Sequence, residues 1–419
     1  FGVVSKMKTK GIYLDYAATT PMDPRVREAM EPFFTEKYGN PSSIHEKGRE
    51  ARSALENARE TVARILHARP DEIIFTGGGT EAINLAIFGM ARYHAEAIAR
   101  AGGGDGAAKA HFVTTNIEHH AISHSFAELA KDGHATMEVK VNREGLVSPQ
   151  DIAAAMRPET LLVSVMYANN EIGTIAPIAQ IGTMLGRVRG EGSGEGKSKD
   201  SGIKSKDGPL LFTDACQAAG ALSLDVSDLG VDMMALNGSK IYGPKGVGCL
   251  YVRRGTPLRP LVYGGGQERG WRSGTENVAG IIGFARALEI ADTERMRESA
   301  RLIALRDDFI AEALRRIPDA VLNGHPQKRL PNNINTSIPG LEGEAAVLYL
   351  DARGIYCSTG SACSAASIEP SHVITALGRP RAYAEGSLRL TLGRATTKED
   401  LDATLDAIVA VVGQLRKWK

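Results

Sequence analysis

Asp214 and Lys240 are the two side chains best placed to do chemistry together. Asp214 follows the apolar run Pro209-Leu-Leu-Phe-Thr and Lys240 follows Val231-Asp-Met-Met-Ala-Leu, so each falls just past an expected strand. In an open parallel sheet, ligands collect at the carboxyl ends of the strands. An amine and a carboxylate delivered to that edge are what pyridoxal phosphate requires of a protein: the amine bonds its carbonyl carbon, and the carboxylate keeps its ring nitrogen protonated as an electron sink. A strand-end acid and an unrelated surface lysine would look the same, so the rest of the chain must decide.

Several further residues could belong to that edge. Glu72-Ile-Ile-Phe-Thr reads as a buried strand, and Gly77-Gly-Gly-Thr-Glu opens a helix after it. Glycines after a strand and a threonine at a helix start let backbone N–H groups reach an anion, helped by the helix dipole. Strand-glycine-helix turns are also common without a phosphate. His119 follows a strand and could stack on an aromatic cofactor or move protons near neutral pH, against the plain reading of a capping or surface histidine. Arg389, alone in Leu388-Arg-Leu-Thr-Leu, needs an anionic partner, which is either a substrate carboxylate or a structural acid. Cys363 lies in Ser358-Thr-Gly-Ser-Ala-Cys-Ser-Ala-Ala-Ser, a run of small side chains that packs little and can move. A thiol there could reach a bound substrate, and helix-start amides would favour its thiolate; a small buried cysteine opening a helix is the alternative. His120 and His124 are one helical turn apart, but no third and fourth ligands accompany them, so no metal is expected.

The elements that position these residues follow from periodicity. A helix is expected from Pro24 to about Phe34, a long amphipathic one from Ile44 to Leu66, and another from the Gly77 turn to about Arg100. Strand and helix patterns then alternate through His111–Thr115, Met137–Val141, Leu161–Met166, Leu210–Phe212, Met233–Leu236 and Val247–Val252. Such alternation implies an α/β fold with a mainly parallel sheet covered by helices on both faces. Beyond about Ala291 the pattern changes to a long helix reaching about Arg316, strands near Ile334 and Ser387, a helix from Gly343 to Ala352 and a closing helix from Lys398. The expected division is a large cofactor domain over 22–291 and a smaller α/β domain over 1–21 and 292–419 that carries Cys363. Two glycine-rich polar stretches, 101–109 and 186–208, bury too little to order themselves, and the second reads as a flexible insertion. Within it, Gly190-Glu-Gly-Ser-Gly-Glu-Gly-Lys-Ser resembles a nucleotide-binding loop, but Glu191 stands where glycine is required and no strand precedes it.

Composition bounds the function. The chain has 419 residues, 43% hydrophobic and 24% charged, with 50 basic and 49 acidic side chains. Near neutrality gives no reason to expect nucleic acid or an acidic membrane as partner, and no apolar run approaches the ~18 residues of a membrane span. Phe1 to Lys10 lack the order of a secretion signal, and a chain opening at Phe1 with Met7 inside reads as one that lost residues or gained a non-native extension. The four cysteines, 216, 249, 357 and 363, have no CxxC spacing, so a reducing, cytoplasmic setting is expected and a bridge between Cys357 and Cys363 is not.

The motifs also resemble a family. Tyr13-Leu-Asp-Tyr-Ala-Ala-Thr-Thr-Pro, Gly39-Asn-Pro-Ser-Ser, Thr80-Glu-Ala-Ile-Asn-Leu-Ala, Asn169-Asn-Glu-Ile-Gly, Asp214-Ala-Cys-Gln, Lys240-Ile-Tyr-Gly-Pro-Lys-Gly, Gly264-Gly-Gly-Gln-Glu-Arg-Gly, Arg272-Ser-Gly-Thr and Ser361-Ala-Cys resemble, in order, the cysteine desulfurases of iron–sulfur assembly, of the NifS/IscS type. The resemblance runs from Tyr13 to near the C-terminus and leaves only the two glycine-rich stretches as insertions. It implies a class V aminotransferase of fold type I with a seven-stranded, mainly parallel sheet, acting as a homodimer with pyridoxal 5'-phosphate. The implied reaction takes L-cysteine to L-alanine and passes the sulfur, as a persulfide on Cys363, to an acceptor such as an iron–sulfur scaffold protein. Carried over by motif, Lys240 would bond the cofactor and move the substrate proton, Asp214 would hold the ring nitrogen, and Gln217 and Asn170 the ring oxygen. His119 would stack on the ring, Gly79 and Thr80 would hold the phosphate with Thr275 of a second subunit, and Asn40 and Arg389 would bind substrate.

One departure stands out. The family usually has Ser-Gly-His before the lysine, and this chain has Asn237-Gly238-Ser239. Asn237 and Ser239 can still donate to a phosphate, but an imidazole that could carry charge is gone, so the cofactor is expected to bind differently and less tightly. A selenocysteine lyase on the same scaffold and a non-catalytic sulfur-assembly partner are the competing readings. The second would be marked by loss of Lys240 or Cys363, and both are present.

Overall fold

Runs of four or five residues, most of them apolar and buried, build the central sheet. The computed structural model describes residues 11–102, 109–190, 208–360 and 370–416. A two-residue strand, β1 (Ile12–Tyr13), comes first, followed by helices α1 (Pro24–Met30), α2 (Pro32–Thr35) and α3 (Glu46–Leu66). The helix expected through Phe34 is thus broken, because Pro32 has no N–H to continue it. Next come β2 (Ile73–Thr76), α4 (Gly79–Arg100), β3 (His111–Thr115), α5 (His120–Lys131), β4 (Ala135–Val139), α6 (Pro149–Ala155), β5 (Thr160–Ser164) and α7 (Ile178–Val188). β6 (Leu210–Asp214), α8 (Val226–Leu229), β7 (Met233–Asn237) and β8 (Gly248–Val252) complete the large sheet. α7 extends to Val188, so the stretch expected to be flexible from Gly186 begins as helix; its residues 191–207, with most of the nucleotide-loop look-alike, lie outside the described residues.

The seven strands run in the order β2-β8-β7-β6-β5-β3-β4. β8 is antiparallel to both neighbours and the other pairs are parallel, so six strands share one direction. Alternate residues of each strand feed opposite cores, as the two-residue period requires. Val113, Leu211, Met234 and Tyr251 pack on the face covered by α3 and the start of α9 (Val278–Arg316), whereas Phe112, Phe212, Met233 and Leu250 pack on the face covered by α4 and α5. α9 is a single helix of 39 residues, and the expected boundary at 291/292 falls inside it. Its first half joins the large core, while Leu302, Phe309 and Ala313 belong to a third core with Ile334, Leu388 and Leu405.

That third core is built by β9 (Val321–Leu322), β10 (Asn333–Ser337), α10 (Gly343–Asp351), β11 (Ile355–Tyr356), β12 (Ser387–Thr391) and α13 (Lys398–Leu415), with α11 (His372–Ala376) and α12 (Arg381–Glu385) between β11 and β12. β12, β10 and β9 form an antiparallel sheet, and β1 pairs in parallel with β11. β1 therefore brings the Tyr13–Thr20 segment from the chain's start to the foot of the large sheet.

Candidate active site

The carboxyl edge of the large sheet gathers most of the residues singled out in the sequence. β6 ends on Asp214, which registers against Ala235 of the adjacent parallel β7. β7 ends on Asn237, and a single 3-10 turn, Gly238–Lys240, delivers the lysine. A side chain at Gly238 would meet the Pro244 carbonyl oxygen at 2.8 Å, which keeps that turn tight. Lys240 Nζ donates to the Ala18 carbonyl at 2.5 Å, and Gln217 Nε2 donates to the Ala17 carbonyl at 2.9 Å, so the segment after β1 aims both. Asp214 is buried, and its Oδ1 accepts from the Cys216 N–H at 2.9 Å.

The glycine turn after β2 closes on the same place. A Cβ on Gly79 would lie 2.7 Å from Cys216 Sγ and 3.5 Å from Asn237 Cβ, so the first turn of α4 can seat against the ends of β6 and β7 only with glycine there. The amide end of a 22-residue helix thus opens beside Asn237 and Ser239. Asn237 Oδ1 accepts from the Ser239 N–H and from Ser239 Oγ, both at 3.3 Å, so the two residues that depart from the family pattern bond each other. Thr80 is exposed at the helix start.

His119 caps α5, with Nδ1 accepting from the Ala121 N–H at 3.1 Å, which leaves the proton of the neutral ring on Nε2. Burial pushes its pKa below the usual histidine range; the Asp214 carboxylate opposes that shift and the Lys240 cation adds to it. Asn170 is placed by a turn in which the buried Asn169 Oδ1 accepts from the Glu171 and Ile172 N–H groups at 2.8 and 2.9 Å. Arg389 is 2% exposed: Nη2 pairs with Asp15 at 2.8 Å, Nη1 donates to the Asn170 carbonyl at 3.1 Å, and Nε has no hydrogen-bond partner among the described residues. A structural acid therefore sits on this arginine, and a substrate carboxylate would have to share it.

Asn40 and Thr275 are exposed in loops, and no hydrogen bond joins either to the Asp214–Lys240 cluster among the described residues; Asn40 Oδ1 accepts from the Ser42 N–H at 2.9 Å. Cys363 lies outside the described residues. Cys216, Cys249 and Cys357 are free, and burial raises all three thiols, that of Cys357 to about 12. His120 lies between His124 and His372 with ring centroids 5.0 and 4.9 Å apart and the rings tilted by 33° and 43°, and no metal-holding group of three ligands occurs among the described residues. Sequence reasoning missed Asp15 and Glu118 as parts of the site. Asp15 carried a signal, a single acid inside the Tyr13-Leu-Asp-Tyr motif, but nothing local named Arg389 as its partner.

The donor set fits pyridoxal phosphate. It offers an amine, a buried carboxylate on the adjacent strand end, a glycine-floored helix amide end and a neutral imidazole. The class-V aminotransferase family matches residues 12–190 and 200–404, with the gap inside the glycine-rich stretch. A relative described as cysteine desulfurase IscS, from Dictyoglomus turgidum, is 48% identical over 406 residues, covering 97% of this chain and 95% of its own. Among solved structures, a NifS-like protein superposes with a TM-score of 0.83 at 35% identity over 96% of this chain and 99% of its own. A structure described as SspA in complex with cysteine gives 0.74 at 32% identity over 91% and 98%. The chain belongs to the class-V aminotransferase family of pyridoxal-phosphate-dependent enzymes, among its cysteine desulfurases.

Proposed function

We propose that the protein converts L-cysteine to L-alanine and keeps the sulfur as a persulfide on Cys363, for transfer to an acceptor such as an iron–sulfur scaffold protein. The observation that carries the reading is the pairing, on adjacent strand ends, of Asp214 with Lys240 one turn past β7. Pyridoxal 5'-phosphate bound there supplies an electron sink for the charge left when the substrate loses its Cα proton.

The chain's own residues do the rest. Lys240 is the base that takes the Cα proton, from an amine already directed by the Ala18 carbonyl. Asp214 keeps the ring nitrogen protonated, Gln217 and Asn170 hold the ring oxygen, and His119 covers the ring. Gly79 and Thr80 amides, with Asn237 and Ser239, hold the phosphate, and Arg389 with Asn40 holds the substrate carboxylate. Cys363 thiolate attacks the substrate sulfur: an S–S bond forms, the C–S bond breaks, and its electron pair stays on Cβ, which takes up a proton while Lys240 returns to Cα the one it took, giving alanine. Burial disfavours thiolate at Cys216, Cys249 and Cys357, which supports Cys363 as the nucleophile among the four.

The active form is a homodimer in which Thr275 of a second copy completes the phosphate seat. Ile44, 90% exposed, and Tyr38 and Tyr263, each 68% exposed, support an apolar contact between copies. Among the described residues no helix is long and apolar enough to cross a membrane, and the free thiols suit a reducing cytoplasm. One assay tests the reading: the protein loaded with pyridoxal 5'-phosphate is given cysteine and a reductant, and alanine and sulfide are measured with the visible absorption of the lysine-bound cofactor. Sulfide release unchanged in Cys363→Ala would refute the persulfide role. The visible band persisting in Lys240→Ala would refute the cofactor assignment.

A further inference from the structure

Glu118 stands one residue before His119 and is 1% exposed. Its Oε1 accepts from Thr115 Oγ1 at 2.6 Å and from the Met166 N–H at 3.0 Å, and Oε2 has no partner among the described residues. No described cation forms an ion pair with it. An ionised carboxylate buried so, with one oxygen unsatisfied and no counter-charge, is the costly form, and the protonated acid is the stable one. Burial pushes its pKa up to about 8, against the Thr115 and Met166 hydrogen bonds and with the Asp214 charge adding to the rise.

The two bonds to Oε1 connect separate strand ends. Thr115 closes β3, and Met166 lies just beyond the neighbouring β5. The next N–H, of Tyr167, donates to the Asp214 carbonyl at 2.9 Å. On the other side, His372 of α11 donates from Nε2 to the Glu118 carbonyl at 3.0 Å. We infer that Glu118 is a positioning residue: its carboxyl group, held uncharged, fixes His119 directly and Asp214 through Met166 and Tyr167, and so keeps a single carboxylate at the ring-nitrogen site. This rests on the reading above only in that His119 and Asp214 face the cofactor. The titratable groups around it are Asp214 from β6, His372 from α11 and His119 on its own segment, so a second carboxylate would meet Asp214 first.

Two measurements on the full chain test it, with Glu118→Gln as the uncharged isostere. The first is urea unfolding from pH 5 to 9. The folded wild type holds a proton up to about pH 8, which the unfolded chain releases near pH ~4.3. Wild-type stability therefore falls relative to Glu118→Gln as pH rises between those values. The ratio of their folding constants shifts about tenfold per pH unit and levels off above pH 8. Parallel curves for the two proteins overturn the uncharged state. The second is titration with pyridoxal 5'-phosphate at pH 7, where Glu118→Gln stays within about threefold of wild type and Glu118→Ala binds at least about tenfold more weakly. Alanine binding as well as wild type overturns the positioning role. Should Glu118→Ala not fold, Glu118→Gln carries the binding test as well, and an affinity more than about threefold below wild type overturns positioning by an uncharged side chain. If wild type takes up no cofactor, the proposed function fails while the unfolding comparison still decides the charge of Glu118.

Discussion

Replacing Glu268 with glutamine strips a charge from the edge of the large sheet, and the cost can be worked from the contacts. Both side chains of the Arg59–Glu268 pair are almost fully buried, 3% and 2% exposed, and are joined by two parallel bonds of 2.8 Å. Glu268 Oε2 also accepts from the Phe75 N–H at 2.9 Å, and Arg59 Nη1 donates to the Ile73 carbonyl at 2.9 Å. Phe75 and Ile73 are on β2, the edge strand, so these side chains occupy the bonding positions another strand would take. Glu268 and Arg269 hold positive φ, 47° and 57°, which costs about 1 kcal/mol or more apiece and persists only because the clamp fixes them. The carboxylate accepts three hydrogen bonds; a glutamine carbonyl serves at most two, and its NH2 faces a donor. Stranding a buried guanidinium costs about 3–5 kcal/mol, reduced because Glu56, half exposed, still lies 3.3 Å from Arg59. A loss of about 3 kcal/mol is expected, read as a lower urea midpoint with unchanged slope. Because β2 leads directly into Gly77–Thr80, cofactor affinity should fall too. The double variant Arg59→Met with Glu268→Gln leaves no charge stranded and should lose less than Glu268→Gln alone. A Glu268→Gln loss below about 0.5 kcal/mol, the range of ordinary surface changes, would refute the reasoning.

Three other outcomes follow from the site. Ser239→His restores a ring beside the helix amide end and should tighten pyridoxal 5'-phosphate binding to apo-protein by severalfold; equal affinities would mean the Asn237–Ser239 pair compensates in full. Gly79→Ala places a methyl 2.7 Å from Cys216 Sγ, so cofactor affinity should drop at least about tenfold, with a stability loss in the 1–3 kcal/mol of an overpacked core. Asp15→Asn removes the acid paired with Arg389; steady-state kinetics should show an altered KM for cysteine with a smaller change in kcat, and unaltered kinetics would place the Asp15 pair outside substrate binding.

How much of this was readable in the sequence depends on the range of the interaction. Most of the seven strands were legible because they are short, buried apolar runs, and the ends that carry Asp214 and Lys240 followed directly. The edge strand β4 was misplaced by two residues, to Met137–Val141, because its residues do not alternate between buried and exposed: two half-buried ones are followed by two exposed ones and a single buried one. α9 begins at Val278, well before the expected change of pattern near Ala291, since its first half is buried on the large sheet and its second half on the small one. Periodicity alone reads that switch of core as a boundary.

The side chains that tune the site were the hardest to read, for a physical reason. A cofactor-facing residue announces itself by standing where a strand ends, which is a local property of the chain. A residue that holds it in place is recognised only by what it touches. Arg389 and Asp15 are 374 positions apart, Arg59 and Glu268 are 209 apart, and Glu118 reaches Met166 across 48. Arg389 did signal that it needed an anion, yet its own neighbours could not choose between a ligand and a protein acid. The structure supplies Asp15, brought across by the pairing of β1 with β11 and by the bridge of Asp15 to Thr391 at the end of β12. That arrangement changes what Arg389 can do. An arginine already neutralised by an acid and a carbonyl grips a substrate carboxylate less strongly than a bare one, and releases a product that keeps the same carboxylate more readily. In the proposed reaction substrate and product both carry that group, so an arginine tempered by Asp15 suits turnover better than an unopposed one.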